Sequence, residues 1–459
     1  MRRMRKVTLK DTISCISGRD ANVRTALIRK NIIFSFLIKG WSGLVLLLLV
    51  PVTLNCLGEY QNGVWLTLSS LLVWIDHLDI GLGNGLRNKL AATMAHGDMR
   101  EARELVSSTF FMLIFIILPM MLVLCAIAWH IDVYSLLNVV HGEIHGMHKI
   151  VVLCIILVCS TFIFKFIGNF YMGLQLPAVN NLIVTCGQTL TLVLTYAVWL
   201  TGHGSFLVIA VVNTASPLIV YIMAYPYTFF VRYKALRPSF SFFRIETAKG
   251  LFTIGIKFFI LQMSGIILFF TSNIIISHLL SPASVTPYQI VYRYFTIVIL
   301  AFTILSTPYW SATTDAYEKG DMGWIIQSHR RMMKMTRGLQ LLIILMAVVS
   351  PWFFNIWIGE ETYIPVALTA VTALYVGVLI ESLSFSYFLN GVGALFLQVI
   401  FTAGAALAFI PVTYLAFSLV PDSCSIVLAM TVVNLPSMIC NRMQFKKITT
   451  YKANGIWTR

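Results

Sequence analysis

Seven ionisable side chains stand inside long apolar runs of this sequence. Four are cations (Lys39, Lys165, Lys257 and Arg293) and three are carboxylates (Asp76, Asp79 and Glu381). Guanidinium and ammonium groups are the natural partners of a phosphate. A carboxylate in such a place can take up H⁺ or Na⁺, or can pair with one of the cations and simply hold helices together. Asp76 and Asp79 are three residues apart, which puts them on one face of a helix. What these groups do depends on the elements that carry them.

Those elements are set by composition. Of the 459 residues, 58% are hydrophobic and 11% are charged, against roughly 25% charged in soluble domains. The mean hydropathy is +0.84. A soluble fold has no means of hiding that much apolar surface, so a soluble enzyme, a disordered chain and a disulfide scaffold are excluded. A chain that crosses the membrane many times remains. A spanning helix needs about 20 mostly apolar residues. Twelve such stretches can be read, near 31–55, 62–84, 105–129, 149–172, 179–200, 205–230, 250–279, 287–310, 338–358, 363–389, 397–419 and 424–441. The runs are continuous and do not alternate, so they are helices and not barrel strands. Lys39 and Lys165 then lie about 13 Å deep at 1.5 Å per residue, and Arg293 about 10 Å deep. Lys257 is near enough to a helix end to snorkel. A charge at such depth costs several kcal/mol and is a functional candidate by default.

The net charge of +15 is the second unusual number. Of the 33 Lys and Arg, 28 fall in five segments: the leader 1–30, the loops 85–104, 231–249 and 311–337, and the tail 442–459. In a twelve-span chain all five share one side. By the positive-inside rule that side is cytoplasmic, with both termini inside. The basic excess is therefore an orientation signal, and a nucleic-acid partner is not needed to explain it. The leader can also lie against anionic lipid headgroups. No cleavable signal precedes the first span.

The chain also repeats itself. Trp41-Ser42-Gly43 echoes Met263-Ser264-Gly265 at an offset of 222, and Gly97-Asp98-Met99 recurs as Gly320-Asp321-Met322 at 223. Trp129-His130-Ile131-Asp132 resembles Trp352-Phe353-Phe354-Asn355, and Val211-Val212-Asn213 recurs as Val432-Val433-Asn434. The near-constant offset predicts a six-plus-six duplication. Six is even, so the halves are parallel repeats about an axis along the membrane normal. The expected layout is an N-terminal lobe 31–230, a linker 231–249 and a C-terminal lobe 250–441, flanked by the leader and the tail, with a cavity between the lobes. Pro119, Pro217, Pro308, Pro411 and Pro436 fall at helix middles, as kinks or as ordinary membrane-helix packing.

Several chemistries are missing. No G-x-x-x-x-G-K-[ST] loop occurs, so ATP is not hydrolysed by that route. Gly81-Leu82-Gly83-Asn84-Gly85 follows a helix and lacks the full dinucleotide fingerprint. It reads as the end of the second span, where glycines let helix ends pack closely. The eight Cys are scattered without metal spacing. His130, His141, His145 and His148 cluster in one loop, as a metal site or, more simply, as a solvated polar turn.

The run from Asp79 to Ala91, Asp-Ile-Gly-Leu-Gly-Asn-Gly-Leu-Arg-Asn-Lys-Leu-Ala, resembles the segment that closes the second helix of bacterial polysaccharide flippases. These are the Wzx-type O-antigen and capsule flippases of the multidrug/oligosaccharidyl-lipid/polysaccharide exporter superfamily. Ser35–Gly40, Gly173–Ala178, Thr271–Ser277, Tyr292–Phe295 and Trp310–Tyr317 resemble them in the same order. The resemblance implies an all-α polytopic protein with twelve transmembrane helices in two six-helix lobes (MATE-like). It implies a transporter without a cofactor, coupled to H⁺ or Na⁺ where it is coupled at all. It implies that undecaprenyl-diphosphate-linked oligosaccharide moves from the cytoplasmic to the periplasmic leaflet of the inner membrane. It also implies partners: the bilayer, the lipid-linked glycan, and the polymerase and chain-length proteins. Lys39 and Arg293 fall in matching stretches as headgroup-binding candidates, joined from their depth by Lys165 and Lys257. Asp79 falls there as a gating or ion-coupling candidate; Asp76 and Glu381 join it only from their places within the spans. Gly81, Gly83, Gly85 and Arg87 are the candidate cytoplasmic gate. The alternative is a cation-coupled drug or metabolite exporter of the same fold.

Overall fold

The structure, a computed structural model, describes residues 21–76, 82–202, 204–247, 271–359 and 362–458. Among these there is no β-strand. Lipid leaves backbone groups no partner but each other, and helices are the outcome. In chain order they are α1 (Ala21–Asp76), α2 (Leu82–His96), α3 (Met99–His130), the short α4 (Val133–Leu137), α5 (Met147–Gly173), α6 (Pro177–Thr201) and α7 (Phe206–Pro226). Then follow helical residues 271–279 (α8), α9 (Pro282–Glu318), α10 (Met322–Ile358), α11 (Val366–Val392), α12 (Phe396–Leu419) and α13 (Ser423–Thr449).

Among the described residues ten segments are long and apolar enough to cross a membrane. The first, Leu37–Ile75, holds two of the expected spans. Gly58 breaks it with φ 69 and ψ 173, a conformation that other residues adopt only at a cost. The expected span 250–279 lies outside the described residues apart from α8. Leu122, Leu341, Val348 and Leu407 are more than 60% exposed, as leucine and valine are on a face that meets lipid.

Charge marks where a helix leaves the membrane, not where it ends. The segments 85–104 and 311–337, expected as loops, are largely helical in α2, α3, α9 and α10. Gly83 and Gly85 do not end a span. They lie buried inside α2.

By contacts the chain forms two compact units. One takes in Met1–Leu57 and Leu71–Ile260, the other Gly58–Ser70 and Leu261–Arg459. In the first, α5 packs on α7, α3 and α2, and α6 on α7. In the second, α11 packs on α13, α9 and α10, and α12 on α13.

The duplication is visible in local chemistry. Gly97 and Gly320 have φ of 77 and 73. The next residue in each half caps a helix: Asp98 accepts from the backbone N–H of Arg100 and Glu101 at 3.0 and 2.9 Å, and Asp321 from that of Trp324 at 2.9 Å. A left-handed glycine followed by a capping carboxylate is what a sharp turn into a helix needs. Asn213 donates back to Ile209 O at 2.8 Å and Asn434 to Met430 O at 2.7 Å. Gly173 faces the backbone oxygen of Arg87 and the side chain of Leu90, while Gly391 faces that of Trp310 and the side chain of Thr313. Both partner pairs are offset by 223.

Candidate functional site

The cations and the acids fare differently. Lys39 is half-buried in α1. Just beyond it α1 is fastened to α6: Trp41 Nε1 donates to Thr189 Oγ1 at 3.1 Å, and Ser42 Oγ to Gln188 Oε1. These bonds fix the rotation of α1 and thus the direction in which Lys39 leaves it. Among the described residues Lys39 has no hydrogen-bond or ion-pair partner. Lys165 is half-buried on α5, next in sequence to Phe166. That ring stacks on Phe229 and packs against Phe110 and Tyr225. The aromatic group surrounds the point where α7 passes, after Pro226, into the π-helical turn Tyr227–Arg232. Proline removes a backbone donor, and Tyr171 steadies the turn through a hydroxyl–hydroxyl bond to Thr228 at 3.0 Å.

Arg293 is in the second unit, on α9, eleven residues or about 16 Å beyond Pro282 at 1.5 Å per residue. Its helical neighbours are fixed by packing. Tyr294 donates to Met346 O at 3.1 Å and packs on Phe353 and Phe354, and Tyr292 stacks on Tyr288. The guanidinium itself has no hydrogen-bond or ion-pair partner among the described residues. An intramembrane cation is expected to face a partner, a cavity or substrate.

One turn away the same helix carries a set of uncharged polar groups that a search for charges passes over. Gln289 Nε2 donates to Asn273 Oδ1 at 2.7 Å, and Asn273 Nδ2 donates to Leu66 O at 3.2 Å and to Ser70 Oγ. Asn62 Nδ2 donates to Thr286 Oγ1 at 3.2 Å, which in turn donates to Glu59 O at 2.8 Å. Ser272 and Tyr288 both reach Met430 Sδ. The stretches Thr271–Ser277 and Tyr292–Phe295 thus lie on two helices tied together by Asn273 and Gln289. Amides and hydroxyls at regular intervals in an otherwise apolar run were the available signal.

Glu381 is committed to a partner. Arg337 Nη1 lies 3.4 Å from its carboxylate, and Gln340 Nε2 donates to it at 3.2 Å and to Gly377 O at 3.1 Å. Glu381 is 14% exposed and Arg337 59%, so the pair runs from the protein interior to the surface. Among the described residues no hydrogen bond or ion pair joins Arg293 to Glu381. Arg87 is exposed on α2. Asp79, Gly81 and Lys257 lie outside the described residues, and of Asp76 the backbone alone is described.

The histidine loop is ordered by an aromatic ring. Tyr134 stacks on His141 with centroids 4.5 Å apart and donates to Ile144 O at 3.0 Å, while His148 Nε2 meets Ile131 O at 3.2 Å. Among the described residues no group of three or more His, Cys, Asp or Glu is arranged to hold a metal.

No family model matches the sequence, and no curated protein is detectably similar to it. Solved structures are similar in fold. One is described as an inward-facing multidrug resistance transporter of the MATE family, MOP superfamily; it is 14% identical, covers 92% of this chain and 100% of its own, and superposes with a TM-score of 0.75. An outward-facing multidrug resistance transporter of the same family is 15% identical over 97% of this chain and 99% of its own, with a TM-score of 0.66. A MOP-superfamily transporter from Pyrococcus furiosus, described as having a binding pocket of reverse polarity that suggests a different function, is 14% identical over 98% and 100%, with a TM-score of 0.62. Identity at this level carries the fold: the chain is a multi-pass helical membrane protein with the architecture of these transporters.

Proposed function

We propose that this chain is a flippase for polyprenyl-diphosphate-linked oligosaccharide, acting in the bacterial inner membrane with its basic face and both termini in the cytoplasm. The observation that carries the reading is Arg293, a fixed intramembrane cation whose guanidinium has no acid or acceptor among the described residues. Lys39 repeats that situation in the first unit. Of the acids described in the second unit, Glu381 is already balanced by Arg337, and Glu59 stands at the Gly58 break in its helix. Among the described side chains of the spans the uncompensated charge is therefore positive, and a diphosphate is the anion it suits. A glycan and a charged diphosphate do not cross hydrocarbon unaided, and a cation held at depth lowers that barrier. The nearby amides and hydroxyls of Asn273, Gln289 and Asn62 are chemically suited to sugar hydroxyls. The driving ion, H⁺ or Na⁺, is assigned to Asp76 or Asp79.

The test is surface glycan display in a strain lacking its own flippase, with membrane levels of each variant measured in parallel. Lys39→Ala and Arg293→Ala should reach the membrane and lose display, and Arg293→Lys should restore part of it. Full display by both alanine variants overturns the reading. A second reading, a cation-coupled drug exporter, is favoured by the multidrug transporters of the same fold. It predicts drug resistance on expression with no dependence on Arg293.

A further inference from the structure

The linker 231–249 is not a free tether. Residues 237–247 are laid along α3 within the first unit and pinned there. Arg103 Nε donates to Arg237 O at 3.1 Å, the backbone N–H of Ser239 to Ser107 Oγ at 3.1 Å, and that of Arg244 to Ser108 Oγ at 2.9 Å. Phe240 and Phe243 stack together and present their faces and edges to Phe111. Thr247 donates to Glu104 Oε1 at 2.7 Å.

Between strap and helix lies a pocket of ≈ 450 Å³ with Arg100, Arg103, Arg244, Glu104 and Ser241 in its wall. Three guanidinium groups thus face one carboxylate, and Thr247 occupies that carboxylate. The guanidinium groups keep donors to spare. Arg103 spends its Nε on the strap and lies over the Phe242 ring at 4.3 Å. Arg244 spends Nη1 on Phe243 O. The Arg100 side chain has no partner among the described residues. Each guanidinium has five N–H donors. The α3 N-terminus is not the attraction, since Asp98 already caps it.

We infer that this pocket binds a phosphate group. Planar guanidinium forks match phosphate oxygens two at a time, and the volume suits a headgroup-sized ligand. Two sources carry that chemistry: the headgroup of an anionic phospholipid, or free phosphate. The surroundings favour the lipid. Phe240 and Ile245 on the strap are 64% and 47% exposed, and Phe230 and Val231 just before it are 51% and 64% exposed. Farther along α3, two to three turns from Arg103, Phe111 and Phe115 begin the apolar face. The arginines therefore sit at the boundary between hydrocarbon and water, where basic pockets take lipid headgroups. None of the intramembrane cations lines the site, and it does not rest on the flippase reading.

The experiment uses the full-length chain in zwitterionic detergent. Its melting temperature is followed on addition of phosphatidylglycerol, phosphatidylcholine or sodium phosphate, for the wild type and for Arg100→Gln/Arg244→Gln. Arg244 is held to α3 by its backbone and the exposed Arg100 side chain has no hydrogen-bond or ion-pair partner among the described residues, so the variant should fold; Arg100→Gln alone is the second probe. Phosphatidylglycerol should raise the wild-type midpoint by several degrees more than phosphatidylcholine, and the variant should lose at least half of that difference. A shift of the same size from sodium phosphate, lost in the variant, supports the phosphate site and assigns it to the free ion. An equal gain from phosphatidylglycerol in wild type and variant overturns the proposal.

Discussion

The helix crossing at Gly391 offers a quantitative test of the fold. A β-carbon placed there would lie 2.7 Å from Thr313 Cβ, 2.8 Å from Thr313 Cγ2 and 2.9 Å from the backbone oxygen of Trp310. The threonine can turn only in part, and the carbonyl belongs to α9 itself. Gly391→Ala therefore forces α9 and α11 apart by about half an ångström to reach ordinary contact, and overpacking of this kind costs ~1–3 kcal/mol. Gly173 is the counterpart in the first unit, and its added carbon would meet Leu90 Cδ2 at 3.0 Å and the Arg87 oxygen at 3.3 Å. Leu90 Cδ2 can rotate away, whereas its Cβ at 3.1 Å cannot; these contacts are still looser than those at Gly391, so Gly173→Ala should lie at the low end of that range. Gly377, on the same helix as Gly391, has nothing within 4 Å of its added carbon, and alanine there should gain the ~0.8–1 kcal/mol that glycine forfeits in a helix. Thermal melts of the purified chain should then rank Gly377→Ala highest, Gly173→Ala in the middle and Gly391→Ala lowest. The outer pair should differ by a few degrees at ~1–2 °C per kcal/mol for a chain of this length. If Gly391→Ala melts at or above Gly377→Ala, the close approach of α9 and α11 is wrong.

Three further outcomes follow from the described contacts. Glu381→Gln and Arg337→Gln should each lower the melting midpoint, the double variant should be no worse than the poorer single, and glycan display should survive. Loss of display at unchanged stability would make Glu381 an ion-coupling group instead. Asp98→Ala and Asp321→Ala should each cost ~0.5–2 kcal/mol, the usual loss of a helix cap; melts that do not move would show that the caps are not formed. Asn273→Leu strands the Gln289 amide, whereas Ser70 keeps its bond to Leu66 O at 2.7 Å; at ~1–3 kcal/mol for a stranded polar group it should destabilise more than Asn213→Leu, whose amide bonds its own helix. Equal effects would dismiss the polar cluster.

The helices were legible because an apolar run of span length has few other outcomes, and the repeat because Gly-Asp-Met states a turn geometry and a cap in three letters. Less could be read where a contact joins distant residues. Asn273 and Ser70 are 203 positions apart, and no local pattern announces that pairing. The charge pattern puts Arg337 in a loop, because a run of charges reads as the end of a helix. Once α10 is seen to start at Met322, Arg337 lies on a helix beside α11 and reaches Glu381. The linker shows the same limit. Its arginines signalled a side of the membrane, but the hydroxyls of Ser107 and Ser108 that fasten it lie in another segment.

These misreadings share a cause that bears on function. Sequence reveals that a charge is present, whereas its availability depends on what packs beside it. Glu381 and Arg293 looked alike as isolated charges in apolar runs, yet one is neutralised by a neighbour 44 positions away and the other has no counter-charge among the described residues. Only the second kind retains attraction for a ligand, because a paired charge has already exchanged its solvation for its partner. Stability and transport measured side by side separate the two. Removing a paired charge should move the melting midpoint and spare transport, whereas removing Arg293, which has no partner among the described residues, should spare the midpoint and stop transport.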